Sequence, residues 1–416
     1  MTLAIRVLIG LVAGFLLGLG LSGSSSPAAA TTIGILTPVG TIFVNLIRMT
    51  VIPLVVSMLV SSVGTMTASG GLGRTGVRAL LISVGLLATA AIGSVLIAEP
   101  ILARIRIDQS ALLALRGPLT TATTASTASP SSVAPSGTPT LATWFVDLVP
   151  QNVVKAAADG AMLPVILFAV MFGLALARVS DAKREAVLRV VDGITETMKR
   201  LVAWILELTP IGVFALAVPL ASRLGLTAAG AIIAYVALVV ALTVAAVALL
   251  LYPLGILAGP MSASAFVSYC APAQAIAFAS RSSLAALPAI VESAERAGLP
   301  PGASRVVLPL AVAVFHFGAA VAQTVGVVFL ARLFGVTLTP LQLMSVVLAV
   351  VLASFAVPGI PGGSILAMVP VLAAVNLPID GVGILLAVDT IPDMFRTTAN
   401  LTGAMTLTAI LPSPQD

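Results

Sequence analysis

The sequence has little charge, few aromatic residues, one cysteine and one histidine. Charged residues make up 8% of 416 and aromatic residues 5%, whereas 59% are hydrophobic and the mean hydropathy is +1.17. So little charge excludes an ordinary soluble globule. The net charge of +5 forms no basic patch interleaved with aromatic residues, so we expect no nucleic-acid partner. Cys270 alone excludes an internal disulfide, and no cluster of cysteine and histidine has metal-ligand spacing, so we expect no metal and no cofactor.

Long apolar runs take up most of the chain. They lie near 3–22, 33–64, 76–103, 141–178, 196–221 and 226–258. A helix needs about 20 such residues to cross a bilayer, so the runs predict an all-α polytopic membrane protein. The first run has no clear cleavage site followed by a soluble domain, and we interpret it as a retained helix rather than a signal peptide.

The distribution of Lys and Arg predicts how the chain is oriented. These residues concentrate in 73–78 and 178–200, whereas 22–32 carries no charge. The positive-inside rule then places the amino terminus in the cytoplasm. We expect the multi-pass chain to lie in the inner (plasma) membrane of the cell. A flexible extracellular loop is predicted at 109–140, where the Ser/Thr/Pro-rich segment 117–140 is typical of a tether.

From residue 259 onward the apolar segments are interrupted. The segment 275–300 has a Ser-rich break and Pro288, and 351–372 has a break at 358–363 that is rich in Pro and Gly. Paired interrupted segments are typical of re-entrant hairpins at the substrate site of a transporter. Two kinked but continuous helices are the alternative.

The stretch VDTIPDMFRTTANLTGAM, residues 388–405, carries ionisable residues in an apolar region. At about 100° per residue, Asp389, Asp393, Arg396 and Asn400 form one polar stripe on a helix. An Arg fork matches a carboxylate and an aspartate can hold an ammonium, which together describe a zwitterion bearing an extra acid. Alternatively, Arg396 and Asp393 neutralise each other as an i,i+3 pair. The stripe alone does not decide between these two interpretations.

Several segments resemble a known family. The segments 40–60, 149–176 and 208–216 are similar to the second, fourth and fifth helices of the glutamate/aspartate transporters, the dicarboxylate/amino-acid:cation symporters. The segments 280–288 and 357–364 resemble the tips of the two hairpins in that family, and 389–403 resembles its eighth helix. The resemblance covers nearly the whole chain and implies eight transmembrane helices plus two re-entrant helical hairpins.

The resemblance also implies a domain organisation and an assembly. The scaffold would consist of 1–66 and 141–225, and the transport domain of 67–108 and 226–416. In the family the transport domain moves across the bilayer like an elevator within a homotrimer. We expect the same organisation here.

Carried over to this sequence, the family pattern implies a substrate site. Ser283, beside Ser282 at the tip of the first hairpin, would hold the main-chain carboxylate of the substrate, Asp393 its ammonium and Arg396 its side-chain carboxylate. The other expected substrate-binding residues are Gly359, Ile360, Pro361, Gly362, Thr397 and Asn400. Keeping both Asp393 and Arg396 favours aspartate or glutamate over neutral amino acids and dicarboxylates.

The sequence departs from the family at the sodium sites. An Asn-Met-Asp-Gly-Thr signature of the seventh helix is replaced here, and further expected oxygen ligands are apolar. The substituted positions are Phe315, Phe317, Ala319, Leu86, Leu87 and Ala404. These side chains offer sodium no oxygen. Two of the three family sites therefore look lost, whereas the third, built largely from backbone carbonyls of the seventh helix and second hairpin, stays open.

His316, the only histidine, lies inside the altered signature. An imidazole titrates near neutrality, so a proton-coupled symporter of acidic amino acids or C4-dicarboxylates that uses His316 is one alternative. Another is that His316 only hydrogen-bonds to backbone. Facilitated transport, exchange, and a channel-like or sensory role also remain open. The sequence contains no recognisable catalytic constellation, so we do not expect an enzyme.

Overall fold

The computed structural model describes residues 3–22, 24, 26–68, 73–104, 146–224, 226–283, 285–300, 304, 307–358 and 362–411. The predicted loop at 109–140 and residues Gly359, Ile360 and Pro361 lie outside this set.

Every regular element in the described part of the chain is helical. The helices are α1 (Leu3–Leu21), α2 (Pro27–Ala68), α3 (Gly73–Leu102), α4 (Val153–Ala158), α5 (Met162–Leu176), α6 (Asp181–Glu207), α7 (Thr209–Leu224), α8 (Leu226–Ala246), α9 (Tyr252–Leu257), α10 (Ala263–Ser280), α11 (Leu287–Arg296), α12 (Leu308–Val314), α13 (Phe317–Leu333), α14 (Pro340–Ser354), α15 (Gly363–Leu366), α16 (Val369–Ala374), α17 (Gly381–Val388) and α18 (Thr390–Ile410). A π-helical turn, Val247–Leu251, joins α8 to α9.

Several helices are long and apolar enough to cross a membrane. Among the described residues there are four, at Pro27–Gly64, Arg78–Leu102, Gly230–Leu257 and Ala311–Leu333. A fifth span results if the bent pair formed by α6 and α7 counts as one. The predicted all-α membrane fold is confirmed at this level, and the eight spans stay a prediction.

The first group of helices is α1, α2, α5, α6 and α7. The helix α2 packs against α5, α6 and α7, and α1 packs along α7. Glycine makes the contact between α1 and α7 possible, because a Cβ on Gly14 would lie 2.7 Å from the Phe214 carbonyl oxygen. Small residues allow such close backbone approach between membrane helices.

A second group surrounds α13, which is almost completely buried. The helix α13 packs against α3, α8, α14 and α18, and α18 also contacts α8, α10 and α12. The helix α17, which leads into α18, contacts α1 and α7 of the first group. The polar residues of α18 are therefore enclosed by other helices.

Both interrupted segments fold as pairs of helices that contact each other. In the first, α10 ends before Arg281, which has a left-handed φ of 55°, and α11 packs back on α10. In the second, α14 ends at Ser354 and the chain resumes in α15 after Gly362, whose φ of 76° favours glycine. The helix α16 then packs on α14. These pairs, hairpin 1 (α10–α11) and hairpin 2 (α14–α16), are not continuous kinked helices.

A further break separates α12 from α13. The helix α12 ends at Val314, and α13 begins at Phe317. Between them Phe315 has extended backbone (φ −102°, ψ 100°), and His316 is also non-helical (φ −111°, ψ 72°). The break falls at the positions that align with the Asn-Met-Asp-Gly-Thr signature of the seventh helix in the family.

Candidate functional site

The centre of the site is a buried ion cluster around Arg396. Arg396 Nη1 lies 2.5 Å from Asp389 Oδ1, and Nη2 lies 2.7 Å from Asp389 Oδ2. Nη2 also donates to Asp393 Oδ1 at 2.7 Å. Arg396 is 0% exposed and both aspartates are 4% exposed. The predicted stripe is thus a buried network in which two carboxylates share one guanidinium, and its net charge is −1 when both are ionised.

The three bonds of the guanidinium divide into two kinds. Asp389 precedes α18 and accepts hydrogen bonds from Arg396 with both carboxylate oxygens. This bidentate arrangement fixes the plane of the guanidinium. Asp393 takes part through a single oxygen. The i,i+3 pairing of Arg396 with Asp393, which the sequence left as an alternative, is therefore present, together with a stronger pairing to Asp389. Arg396 Nε has no hydrogen-bond partner among the described residues.

Hairpin 2 reaches this cluster through its backbone. The N–H of Gly362 donates to the second oxygen of Asp393, with a distance of 3.4 Å. Gly362 is the last residue before α15, so the contact joins the tip of hairpin 2 to α18. The other three expected tip residues lie outside the described residues.

Asn400 joins α18 to the start of α13. Its Oδ1 accepts a hydrogen bond from the N–H of Ala319 at 3.2 Å. The first N–H groups of a helix have no partner within it, and His316, the residue that precedes α13, supplies no side-chain cap. Asn400 therefore acts as the cap from a neighbouring helix. Thr397 is buried on the same helix.

The tip of hairpin 1 contains the two expected serines. Ser283 is buried, whereas Ser282 is partly buried and accepts a hydrogen bond from the N–H of Ala285 at 3.3 Å. The hairpin arm packs on α18 through Phe278 and Phe395, whose rings meet edge to face at 5.2 Å.

The positions expected to have lost sodium ligands are all buried inside the protein among apolar side chains. The rings of Phe315 and Phe317 lie 6.3 Å apart, and a Cβ added to Gly403 of α18 would be 2.9 Å from the Phe315 ring. Leu86, Leu87, Ala319 and Ala404 are buried as well. These residues do not fit sodium, because none has a side-chain oxygen. The described residues also contain no group of three or more His, Cys, Asp or Glu placed to hold a metal ion.

His316 is buried at the break between α12 and α13. Its Nδ1 lies 3.0 Å from the carbonyl oxygen of Ser354, the last residue of α14. The imidazole therefore joins the break to the first arm of hairpin 2. A hydrogen bond to backbone was one of the two alternatives for this residue, and the structure contains it.

Two further buried polar residues were not predicted. Gln323 on α13 donates to the Ser364 carbonyl of hairpin 2 at 2.9 Å, while its own Oε1 has no partner among the described residues. Tyr235 on α8 stacks on Phe329, and its hydroxyl has no hydrogen-bond partner in the part of the chain that the structure describes. An amide in the apolar run of α13 was a signal that could have pointed to Gln323, whereas nothing in the sequence distinguished Tyr235.

Comparison with known proteins gives a consistent result. Residues 3–413 match the sodium:dicarboxylate symporter family. The proton/glutamate-aspartate symporter of Escherichia coli (strain K12) is 30% identical over 402 residues, which is 97% of this chain and 90% of that protein. The proton/sodium-glutamate symport protein of Bacillus caldotenax is 28% identical over 96% of this chain and 91% of its own length. The C4-dicarboxylate transport protein of Rhizobium leguminosarum is 26% identical, with 98% and 88% covered.

Proposed function

The chain belongs to the sodium:dicarboxylate symporter family, and we propose that it is a secondary transporter of aspartate or glutamate that does not use sodium. The observation that supports this most directly is the buried Arg396, which two carboxylates hold beside the tip of hairpin 2. An acidic amino acid has the matching groups: a side-chain carboxylate for the guanidinium and an ammonium for an aspartate.

Substrate binding exchanges partners within the ion cluster. The substrate ammonium pairs with Asp393, and the side-chain carboxylate of the substrate takes the place of Asp393 on Arg396. Asp389 keeps its two hydrogen bonds to Arg396 throughout and holds the fork in position. The buried charges stay paired in both arrangements, which matters because an unpaired buried charge is costly.

Hairpin 2 is the gate in this proposal. The Gly362 N–H and the substrate ammonium both donate hydrogen bonds to the carboxylate of Asp393. Substrate binding and the position of the hairpin tip are therefore coupled through one side chain. Ser283 and the backbone of hairpin 1 bind the main-chain carboxylate of the substrate in this proposal. Thr397, the residue after Arg396, also contributes to the site.

The elevator organisation is part of the proposal. The contacts of α1, α2, α5, α6 and α7 with one another support a scaffold formed by 1–66 and 141–225. The contacts of α13 and α18 with α3, α8, α10 and α14 support a transport domain formed by 67–108 and 226–416. A homotrimer, with the amino terminus in the cytoplasm and the chain in the plasma membrane, completes it.

The absence of sodium coupling rests on the side chains at the expected sites. Phe315, Phe317 and Gly403 pack together where oxygen ligands are required, and Leu87 is buried in the same hydrophobic core. A bound sodium would have to displace these groups without gaining side-chain ligands.

A proton-coupled symporter is the second candidate, for acidic amino acids or C4-dicarboxylates. It is favoured by the buried His316 at the helix break and by the proton-coupled names of similar proteins. In this alternative the imidazole carries the proton that accompanies the substrate.

Uptake of labelled aspartate into proteoliposomes tests the proposal. We expect uptake in choline buffer that sodium does not increase, competed by glutamate but not by alanine, which lacks the second carboxylate, and only weakly by succinate, which lacks the ammonium. Uptake that requires sodium would refute the coupling proposal. Stronger competition by succinate than by glutamate would refute the amino-acid assignment. Uptake that needs an inward proton gradient would favour the second candidate.

A further inference from the structure

His316 lies where two helices end. The helix α12 ends at Val314, two residues before His316, and α14 ends at Ser354, whose backbone carbonyl oxygen lies 3.0 Å from the imidazole Nδ1. The last carbonyls of a helix lack partners within it and form the negative end of the helix dipole. With 2% exposure, the ring has little water to compete for these oxygens.

The carbonyl of Ser354 needs a donor from outside its helix. Its helical donor would be the N–H of residue 358, which is Pro358 and has no N–H. The next N–H groups turn back to earlier carbonyls, with Phe355 donating to Leu352 and Ala356 to Ala353. His316 Nδ1, at 3.0 Å, supplies the missing donor.

This contact fixes the state of one ring nitrogen. A carbonyl oxygen only accepts hydrogen bonds, so Nδ1 must carry the hydrogen. Nδ1 keeps that hydrogen in the neutral tautomer and in the imidazolium alike. The contact therefore does not require His316 to titrate, unlike the role of a proton carrier.

We propose that the His316 N–H takes the place of a monovalent cation between the ends of α12 and α14, holding the first arm of hairpin 2 without sodium. In transporters with broken helices, half-helix carboxyl ends and unwound carbonyls are the groups that coordinate sodium. The Ser354 oxygen already binds an N–H here, and the neighbours of His316 in sequence, Phe315 and Phe317, offer a cation no side-chain oxygen. His316 is thus a positioning residue that fills the backbone-built position, and this role rests on the proposed sodium-independent transport.

The first test uses the fact that the chain has one histidine. Isotopic labelling of both ring nitrogens gives a single pair of nitrogen resonances. We expect hydrogen on Nδ1 at about pH 5.5 and about pH 8, either side of the ordinary histidine pKa, and no change when choline is replaced by sodium. Hydrogen on Nε2 alone, or a sodium-induced shift, would overturn the proposal.

The second test compares His316→Ala with His316→Asn. Asparagine keeps an N–H donor at the position of Nδ1 but cannot titrate, whereas alanine removes the donor and opens space at the Ser354 carbonyl. We expect the alanine variant to bind aspartate about tenfold more weakly in choline, the loss of roughly one buried hydrogen bond, and to recover in sodium. The asparagine variant should keep wild-type affinity and remain indifferent to sodium.

The possible outcomes separate this inference from the proposed function. An alanine variant with unchanged affinity in choline, or an asparagine variant as weak as the alanine variant, would refute the inference. If the alanine variant does not fold, the nitrogen resonances of the wild-type protein still decide. Hydrogen fixed on Nδ1 in a protein that fails to bind any acidic amino acid would support the contact and refute the function. Hydrogen absent from Nδ1 in a protein that carries aspartate without sodium would refute the contact and support the proposed function.

Discussion

Replacing Arg396 by alanine tests whether one buried residue both stabilises the fold and selects an acidic substrate. The Arg396 side chain is 0% exposed, and those of Asp389 and Asp393 are 5% and 6% exposed. The substitution changes the net charge of the cluster from −1 to −2 in a site without solvent. Breaking a buried ion pair from one side costs about 3–5 kcal/mol. We therefore expect a large fall in thermal stability in detergent, together with loss of aspartate binding.

A double variant separates the two effects. Asp389→Asn combined with Arg396→Ala removes one of the two negative charges along with the positive one, so part of the lost stability should return, while Asp393 remains a buried carboxylate without its guanidinium. Binding should stay absent because the guanidinium is missing. Thermal unfolding and calorimetric titration with aspartate measure the two quantities on the same preparation.

The control is Arg332→Ala. Arg332 pairs with Glu99 at 3.3 Å, but the two side chains are 37% and 49% exposed. Such pairs contribute less than about 1 kcal/mol, so stability and binding should both stay near those of the wild-type protein. Wild-type affinity in Arg396→Ala would refute the substrate assignment. A double variant as unstable as the single one would show that the unpaired charge of Asp389 does not contribute to the instability.

Three further substitutions have defined outcomes. Gly14→Ala should lower the melting temperature because its Cβ meets backbone of α7, whereas Gly20→Ala on the same helix meets nothing within 4 Å; equal effects would contradict this packing. Gln323→Leu leaves the Ser364 carbonyl of hairpin 2 without its donor, which costs about 1–3 kcal/mol and should weaken aspartate binding. The control Thr324→Val loses only a hydrogen bond within α13 and should bind aspartate normally. In the uptake assay, Asp393→Asn should make aspartate a weaker competitor relative to succinate, which has no ammonium. An unchanged preference would show that Asp393 does not bind the substrate ammonium.

The polar stripe of α18 was predictable because helix geometry is local. Asp393, Arg396 and Asn400 share a face by their spacing alone, and the apolar sequence around them indicated that this face is enclosed. The spacing did not determine which groups they bind. Asn400 caps α13 because the start of that helix packs against α18. Asp389, seven residues before Arg396, takes two of the three guanidinium hydrogen bonds.

The breaks in the helices were likewise predictable, since Pro, Gly and Ser clusters interrupt helical runs through their own backbone preferences. What faces each break was not. His316 was visible as the only histidine in the chain, yet its contact with Ser354 depends on the packing of α14 against the break. Gln323, Tyr235 and Gly14 drew no attention either, because their roles come from neighbours on other helices.

The sequence by itself determined that this is a helical membrane protein with two interrupted segments and one buried charged stripe. Composition, periodicity and helix-breaking residues act on near neighbours, so they can be interpreted without knowing the fold. The tertiary structure decided that Arg396 is shared by two aspartates, that Gly362 of hairpin 2 reaches one of them, and that an imidazole joins the ends of two helices. The contacts of Gly362 and His316 join groups on separate elements, and packing in three dimensions selects them. The bonds of Arg396 are local in sequence, but they form because each buried polar group must find a partner once water is excluded.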